Sequence, residues 1–264
     1  MINFSKAKSV FVPVLLVLLS ILAGLGVSTN ASAVTPNVSW SNISSQKAAI
    51  SNIASVACPS ASDCFVLAST STNYLAIFAT TNGGSTWSRQ STPAINLNVG
   101  GGIACESVSN CIAVTSQELI STTNGGSTWT ASNLPTGVSV NDIFCTNAIC
   151  VAVGAIYGQA GESAYAATTS DLGQTWSASS GLPANVQLNE ISCFQSGSLD
   201  CMAVGLNTGT NAAAIEITTN GATSWRSSTV SNGITTLTSV GCSSSTTCNV
   251  VGFSNTFNLA GAYT

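Results

Sequence analysis

From about residue 50 to the C-terminus, short apolar runs alternate with Ser-, Thr- and Asn-rich stretches. The runs are four to eight residues long and rich in β-branched side chains, which is the pattern of strands separated by turns. Five of them lead into a cysteine: Val56-Ala57-Cys58, Ile103-Ala104-Cys105, Ile143-Phe144-Cys145, Ile191-Ser192-Cys193 and Val240-Gly241-Cys242. Five more follow a second cysteine: Phe65-Val66-Leu67, Ile112-Ala113-Val114, Val151-Ala152-Val153, Met202-Ala203-Val204 and Asn249-Val250-Val251. Each such pair predicts an antiparallel hairpin. A third run follows at 75–80, 119–122, 164–168 and 213–218, and a fourth strand is predicted to begin at the next tryptophan.

Between the third and fourth runs stands a repeated turn. Residues 81–87 and 123–129 both read T-N-G-G-S-T-W, with looser copies at 170–176 (S-D-L-G-Q-T-W) and 219–225 (T-N-G-A-T-S-W). Asn-Gly and Gly-Gly favour tight hairpins because these residues tolerate positive φ. Four strands recurring every 40 to 49 residues match the blade of a β-propeller. The expectation is an all-β propeller of five four-stranded blades. Pro93, Pro135 and Pro183 fall in the connections between blades, where no ladder N–H is needed. The last unit stops at Thr264, before its own turn, and Val38-Ser39-Trp40-Ser41 aligns with Ser85-Thr86-Trp87-Ser88. A strand around Trp40 is therefore expected to complete the C-terminal blade and close the ring. A piece of a larger propeller is the alternative.

The cysteines sharpen this picture. All ten fall in close pairs, Cys58/Cys64, Cys105/Cys111, Cys145/Cys150, Cys193/Cys201 and Cys242/Cys248, one pair per unit. An even count in an exported chain reads as disulfides. The spacings are not those of a metal site and the chain has no His, so no metal is expected. Loops this small give about 2–2.5 kcal/mol per bridge on the chain-entropy model.

Export itself is predicted by the N-terminus. Lys6 and Lys8 precede an apolar run from Val10 to about Val27, and Ala31-Ser32-Ala33 follows. This is the layout of a signal peptide, residues 1–33, cleaved before Val34 to leave one domain over 34–264. An uncleaved anchor is the alternative; no cysteine adjoins the site, which argues against a lipid anchor. No second run is long enough to span a membrane, so the mature chain is expected to be secreted or at the cell surface.

Charge narrows the function classes. Only 5% of residues are charged against 45% hydrophobic, and the pI is near 4.4. So few bases argue against nucleic-acid binding. Gly100-Gly101-Gly102 precedes a strand and not a helix, so it is no nucleotide loop, and no cofactor is expected.

The repeated turn resembles the Asp-box (BNR) repeat, S-x-D-x-G-x-T-W. Thr80, Asn82, Gly84, Thr86 and Trp87 fit it, as do Thr122, Asn124, Gly126, Thr128 and Trp129, with Asn for Asp. Thr169, Asp171, Gly173, Thr175 and Trp176 fit with the Asp present, while Asn220 and Trp225 belong to a copy that departs at Ala222 and Ser224. Propellers of this kind include sialidases, xyloglucanase-like glycosidases, sortilin-type receptors and photosystem II assembly factors of the Ycf48 type. The resemblance implies a folding role for the box. It also implies that a sialidase is excluded, because those enzymes use three arginines and only Arg89 and Arg226 occur.

The remaining candidates are acids and hydroxyls. The position three before each first cysteine, Ser55, Gly102, Asp142, Glu190 and Ser239, is expected to start the inner strand and ring the channel mouth opposite the turns. Asp142 and Glu190 are the acids of that ring, and Glu118 and Glu162 are placed in loops on the same face. Asp63, Glu106 and Asp200 fall in the disulfide loops of the opposite face. Three functions follow: a non-enzymatic module binding a protein or glycan through Ser55, Asp142, Glu190, Ser239, Glu118 and Glu162; a glycosidase using Asp142 and Glu190 as a carboxylate pair; or a surface adhesion component. Solvated loop carboxylates without a partner are the plain alternative.

Overall fold

The computed structural model describes residues 50–95, 101–115, 118–146, 149–159, 161–196, 198–230, 233–254 and 258–263. Nineteen strands in these residues form five antiparallel sheets, each built from consecutive strands. The first holds β1 (Ile50–Ala57), β2 (Cys64–Thr70), β3 (Leu75–Thr80) and β4 (Ser88–Arg89). The second holds β5 (Ile103–Cys105), β6 (Cys111–Val114), β7 (Glu118–Thr122) and β8 (Thr130–Asn133). The third holds β9 (Val138–Cys145), β10 (Cys150–Gly158), β11 (Gly161–Thr169) and β12 (Ser177–Ala178). The fourth holds β13 (Val186–Ser196), β14 (Ser198–Asn207), β15 (Ala212–Thr218) and β16 (Arg226–Ser228), and the fifth β17 (Ile234–Cys242), β18 (Cys248–Ser254) and β19 (Asn258–Tyr263).

Among the described residues four blades are thus four-stranded, not the expected five, and the fifth unit forms a three-stranded sheet. The strand expected around Trp40 and the leader at 1–33 lie outside the described residues.

Burial follows strand position. The middle strands β2, β3 and β6 are buried on both faces, which is why they read as unbroken apolar runs rather than alternating ones. The last strands β4, β12 and β16 are two or three residues long and largely exposed, which keeps a short polar edge toward solvent. Successive sheets pack face to face over separate cores. Phe65, Leu67 and Ile77 meet Ile103, Ala113 and Trp129 between the first two sheets. Val151, Val153 and Ala166 meet Leu188, Ile191 and Trp225 between the third and fourth. Turn tryptophans point back at the preceding sheet: Trp129 meets Phe65 edge-on, with ring centroids 6.3 Å apart.

All five expected disulfides are present: Cys58–Cys64, Cys105–Cys111, Cys145–Cys150, Cys193–Cys201 and Cys242–Cys248, each with Cα atoms 4.0 Å apart. In the last four the cysteines are directly opposed across the hairpin. Outside the fourth blade the bridge sits where the first two strands meet their loop, and it holds their register there.

Cys201 departs from the expected placement. The apolar pattern puts it at the end of a disulfide loop, with the second strand starting at Met202. Instead Cys201 lies inside β14, and Cys193 inside β13. The ladder continues past the bridge through Phe194 opposite Asp200, Gln195 opposite Leu199 and Ser196 opposite Ser198. The reason is spacing: eight residues separate these cysteines, against five or six in the other bridges, which leaves room for the extra pairs. Leu199 anchors the extension by burying its side chain in the core between the third and fourth sheets. Asp200, expected in a loop, is consequently a strand residue.

The inner strands are bulged. The ladder slips by one residue at Asn141 in β9, Asn189 in β13 and Thr238 in β17. This explains the glycine after the second apolar run, Gly154, Gly205 and Gly252. A Cβ on Gly205 would overlap the carbonyl oxygen of Gln187, and one on Gly154 would overlap that of Ser139. At these positions the inner strand lies too close for a Cβ without a shift, whereas in the first blade the same bulge, at Ala54, accommodates Ala68.

Candidate functional site

The four repeated turns are closed circuits of hydrogen bonds. Thr80 Oγ1 donates to Asn82 Oδ1 at 2.9 Å and accepts from Gly84 N at 3.0 Å. Asn82 Oδ1 accepts from Thr86 N at 2.9 Å, and Asn82 Nδ2 donates to Thr86 Oγ1 at 2.8 Å. The same set recurs around Asn124, and three of its four bonds recur around Asn220 with Ser224 in place of threonine. At Asp171 the direction of one bond reverses, and Thr175 Oγ1 donates to Oδ2 at 2.6 Å. The bonds from Thr175 and Thr169 hold the Asp171 carboxyl down at about 2. The turns also bond the hairpin ends beside them, Gly83 N to Ser62 O and Gly125 N to Ser109 O. The hydrogen-bonding side chains of the turn are committed to their own blade.

The turns and the bridged hairpin ends share one end of the molecule. Asp63 lies there, its carboxyl lowered by bonds from Ser60 and Ser62, and so does Glu106, raised by partial burial. Asp200, beside Cys201 in β14, accepts from Ser198 at 3.0 Å.

The ring expected at the channel mouth is placed differently. Ser55, Asp142, Glu190 and Ser239 do not start their strands: they pair with Leu67, Val153, Val204 and Val251 in mid-ladder. The strands begin four or five residues earlier and run through the bulge, which the residue pattern conceals. Gly102 alone precedes its strand, and a Cβ there would stand 2.6 Å from Asp142 Oδ1. Asp142 and Glu190 are buried, at 4% and 2% exposure, as is Ser55.

Asp142 is a tie between blades. Its Oδ2 accepts from Ile191 N of the next inner strand at 3.0 Å. The bulged Asn141 beside it donates from Nδ2 to Leu188 O, also of the next strand, at 2.8 Å. One blade further on, Asn189 repeats the contact, donating to Leu237 O at 2.8 Å. The asparagine thus bonds the neighbouring backbone in both blades, and in the third blade Asp142 does so as well. The Asn-acid doublet was visible in the sequence as Asn141-Asp142 and Asn189-Glu190, four and three residues before a cysteine.

The opposite end carries the exposed polar groups. Glu118 opens β7, is half-buried, and its backbone carbonyl accepts from Thr115. Glu162 lies in β11 opposite Tyr157 of β10, and the two strands, nine residues each, form one hairpin. Tyr157 is 51% exposed, and its hydroxyl accepts from Gln187 Nε2 of the fourth sheet at 3.0 Å. Glu162 Oε2 accepts from Thr208 Oγ1, beside the same sheet, at 3.3 Å. Beneath them Asn185 N bonds Glu162 O and Thr208 N bonds Asn185 O, so backbone fixes the corner. Burial, then the Glu162 charge, pushes the Tyr157 hydroxyl up. Sequence reasoning identified Glu162 but missed Tyr157, Gln187 and Thr208, which come from two blades.

Among the described residues no three His, Cys, Asp or Glu side chains gather as metal ligands, and no helix is long and apolar enough to cross a membrane. No protein-family profile matches the chain, and no curated sequence does. Solved structures do. The chain is similar to YCF48 bound to D1 peptide, with a TM-score of 0.54 and 15% identity, over 78% of this chain and 61% of that one. The fold is a β-propeller. This propeller is also similar to YCF48 from Cyanidioschyzon merolae (TM-score 0.47, 14% identity, 72% of this chain and 64% of that one). A GH74 xyloglucanase from Xanthomonas campestris gives 0.47 and 10%, over 76% and 43%. The propeller spans less than two thirds of each of these three chains.

Proposed function

We infer that the protein is an exported, non-enzymatic propeller that binds a protein or glycan ligand on the end opposite the repeated turns. The observation that carries this is the corner of Tyr157, Gln187, Glu162 and Thr208. An aromatic ring stands open to solvent, its hydroxyl is anchored by the next blade, and a carboxylate is held beside it. A preorganised aromatic among polar groups binds without a large ordering cost. The burial of Asp142 and Glu190, and the backbone bond of Asp142, weigh against the glycosidase alternative, which needs two carboxylates facing an open cleft.

The rest of the reading follows from the sequence. The leader at 1–33 directs export and is removed, and residues 34–264 form one propeller domain. The turns are boxes of the Asp-box type, the strand around Trp40 completes the fifth blade, and Glu118 extends the polar end.

The test is a screen of the secreted chain against glycan and peptide arrays, repeated with Tyr157→Ala. Binding that is lost with Tyr157→Ala supports the reading. Cleavage of a glycan that stops with Glu190→Gln would establish the enzyme instead.

A further inference from the structure

A recess lies on the same end of the molecule as the Tyr157 corner, in the first blade. It has a volume of about 410 Å³ and is lined by Thr70, Ser71, Thr72, Tyr74, Arg89 and Thr92, with Leu75 and Pro93 among its walls. That volume falls inside the range of about 300–1,000 Å³ usual for small-ligand sites. The loop that forms one wall is fixed by its own bonds. Thr70 N donates to Tyr74 O at 2.8 Å, Thr70 Oγ1 accepts from Tyr74 N at 3.1 Å, and Asn73 takes a left-handed φ of 60° to close the turn. The other wall is fixed by Leu75 N donating to Ile95 O at 2.8 Å.

Two features of the recess point to a ligand. First, Arg89 forms no ion pair among the described residues. The chain has nine acids and five bases, yet no acid among the described residues has been placed to neutralise this guanidinium. Arginine presents a planar fork that fits a carboxylate with two parallel bonds. Second, Tyr74 is 44% exposed and stands at the rim among side-chain hydroxyls. An aromatic face stacks on the C–H face of a sugar ring, and hydroxyls of Ser71, Thr72 and Thr92 match a polyol. Leu75, Pro93, Ala94 and the Tyr74 ring make the lining about half apolar, which suits a sugar ring with its C–H faces and hydroxyl rim.

We propose that this recess binds an acidic sugar, a hexuronate residue of a glycan, with Arg89 holding the carboxylate and Tyr74 the ring. This rests on the binding-module reading and names a ligand class for it, at a site apart from the Tyr157 corner. The net acidity of the chain repels anions in general, so recognition depends on Arg89 alone. Binding is therefore expected to weaken with salt.

The experiment is a titration of the secreted chain with glucuronate, and with glucose as the neutral control, followed by NMR. Wild type is expected to bind glucuronate with shifts at residues 70–75, and glucose at least about 10-fold more weakly, the scale of a lost charge-assisted bond. Arg89→Gln is expected to lose the preference for glucuronate. Arg89→Lys retains the charge without the fork and should fall between. Arg89 is exposed, and an unchanged thermal transition checks the fold of each variant. No shifts at 70–75, or equal glucuronate binding by Arg89→Gln, would overturn the proposal. If array ligands bind through Tyr157 while glucuronate does not bind, the recess assignment falls and the binding-module reading stands. If no array ligand binds but glucuronate does so through Arg89, the Tyr157 site falls instead.

Discussion

Replacing Gly205 by alanine tests the central packing claim, that bulged inner strands lie directly over the second strands. A Cβ at Gly205 would overlap Gln187 O and stand 2.8 Å from its carbonyl carbon and 2.9 Å from Leu188 Cα. All three are backbone atoms of β13, so no side chain turns aside to make room. The inner strand must shift by about an ångström, and overpacking of this kind costs about 1–3 kcal/mol. The shift also disturbs the bulge at Asn189, whose bond to Leu237 O is worth about 1 kcal/mol. Against this, alanine lowers the entropy of the unfolded chain and returns about 0.4–1 kcal/mol. The net expectation is a loss of about 1–3.5 kcal/mol, or a fall in Tm of about 2–14 °C for a domain of this size. Gly241→Ala is the control: a Cβ there meets nothing within 4 Å, and stability should hold or rise slightly. Both are measured by calorimetry and urea unfolding with the disulfides intact. If Gly205→Ala is as stable as Gly241→Ala, the close approach of the inner strand is wrong.

Three further outcomes are expected. Asn141→Ala leaves Leu188 O without its 2.8 Å donor and should cost about 1–2 kcal/mol in urea unfolding, with no loss of disulfides. Glu216 is buried in the interface where other blades carry Phe78, Ile120 and Ala167, and burial, only partly offset by bonds from Ser227, raises its carboxyl above 4.5. Its raised value means that stability is full below the unfolded value and declines as pH rises through the folded one. Glu216→Gln should therefore melt higher than wild type at neutral pH and equal it below about pH 4. Asp171 has the opposite sign. Its carboxyl is held at about 2 from an ordinary 3.8, so the turn's contribution is present above 3.8 and is lost as pH falls toward 2. Asp171→Asn should remove that acid-dependent loss, measured as Tm between pH 2 and 5.

Local features were legible in the chain. The turns around Asn82 and Asn124 close through bonds between residues two and four apart, so seven residues contain the whole device. The disulfide pairings were legible for the same reason, since each joins residues five to eight apart on one hairpin. The position of a bridge along its hairpin was less so: Cys201 sits within β14 because Leu199 finds a buried place between sheets, which the polar stretch around it does not announce. Strand content followed from apolar runs, and the propeller from their repetition.

What spans blades was not legible. Asp142 reads in sequence as a solvent-facing acid at a strand start. Its partner Ile191 is 49 residues away, and only the stacking of blades brings that N–H to it. The bulge at Asn141 also moved the strand start, because a bulge adds a residue without changing the hydrophobic pattern enough to reveal it. Tyr157 gains its significance from Gln187, 30 residues on, and Arg89 from a loop at 70–74. The amino-acid sequence by itself determined the strands, the turns, the bridges and the repeat, because each is settled by contacts within one unit. Which carboxylates are buried between blades, and which side chains stand open on the far end, were decided only by the packing of one unit against the next.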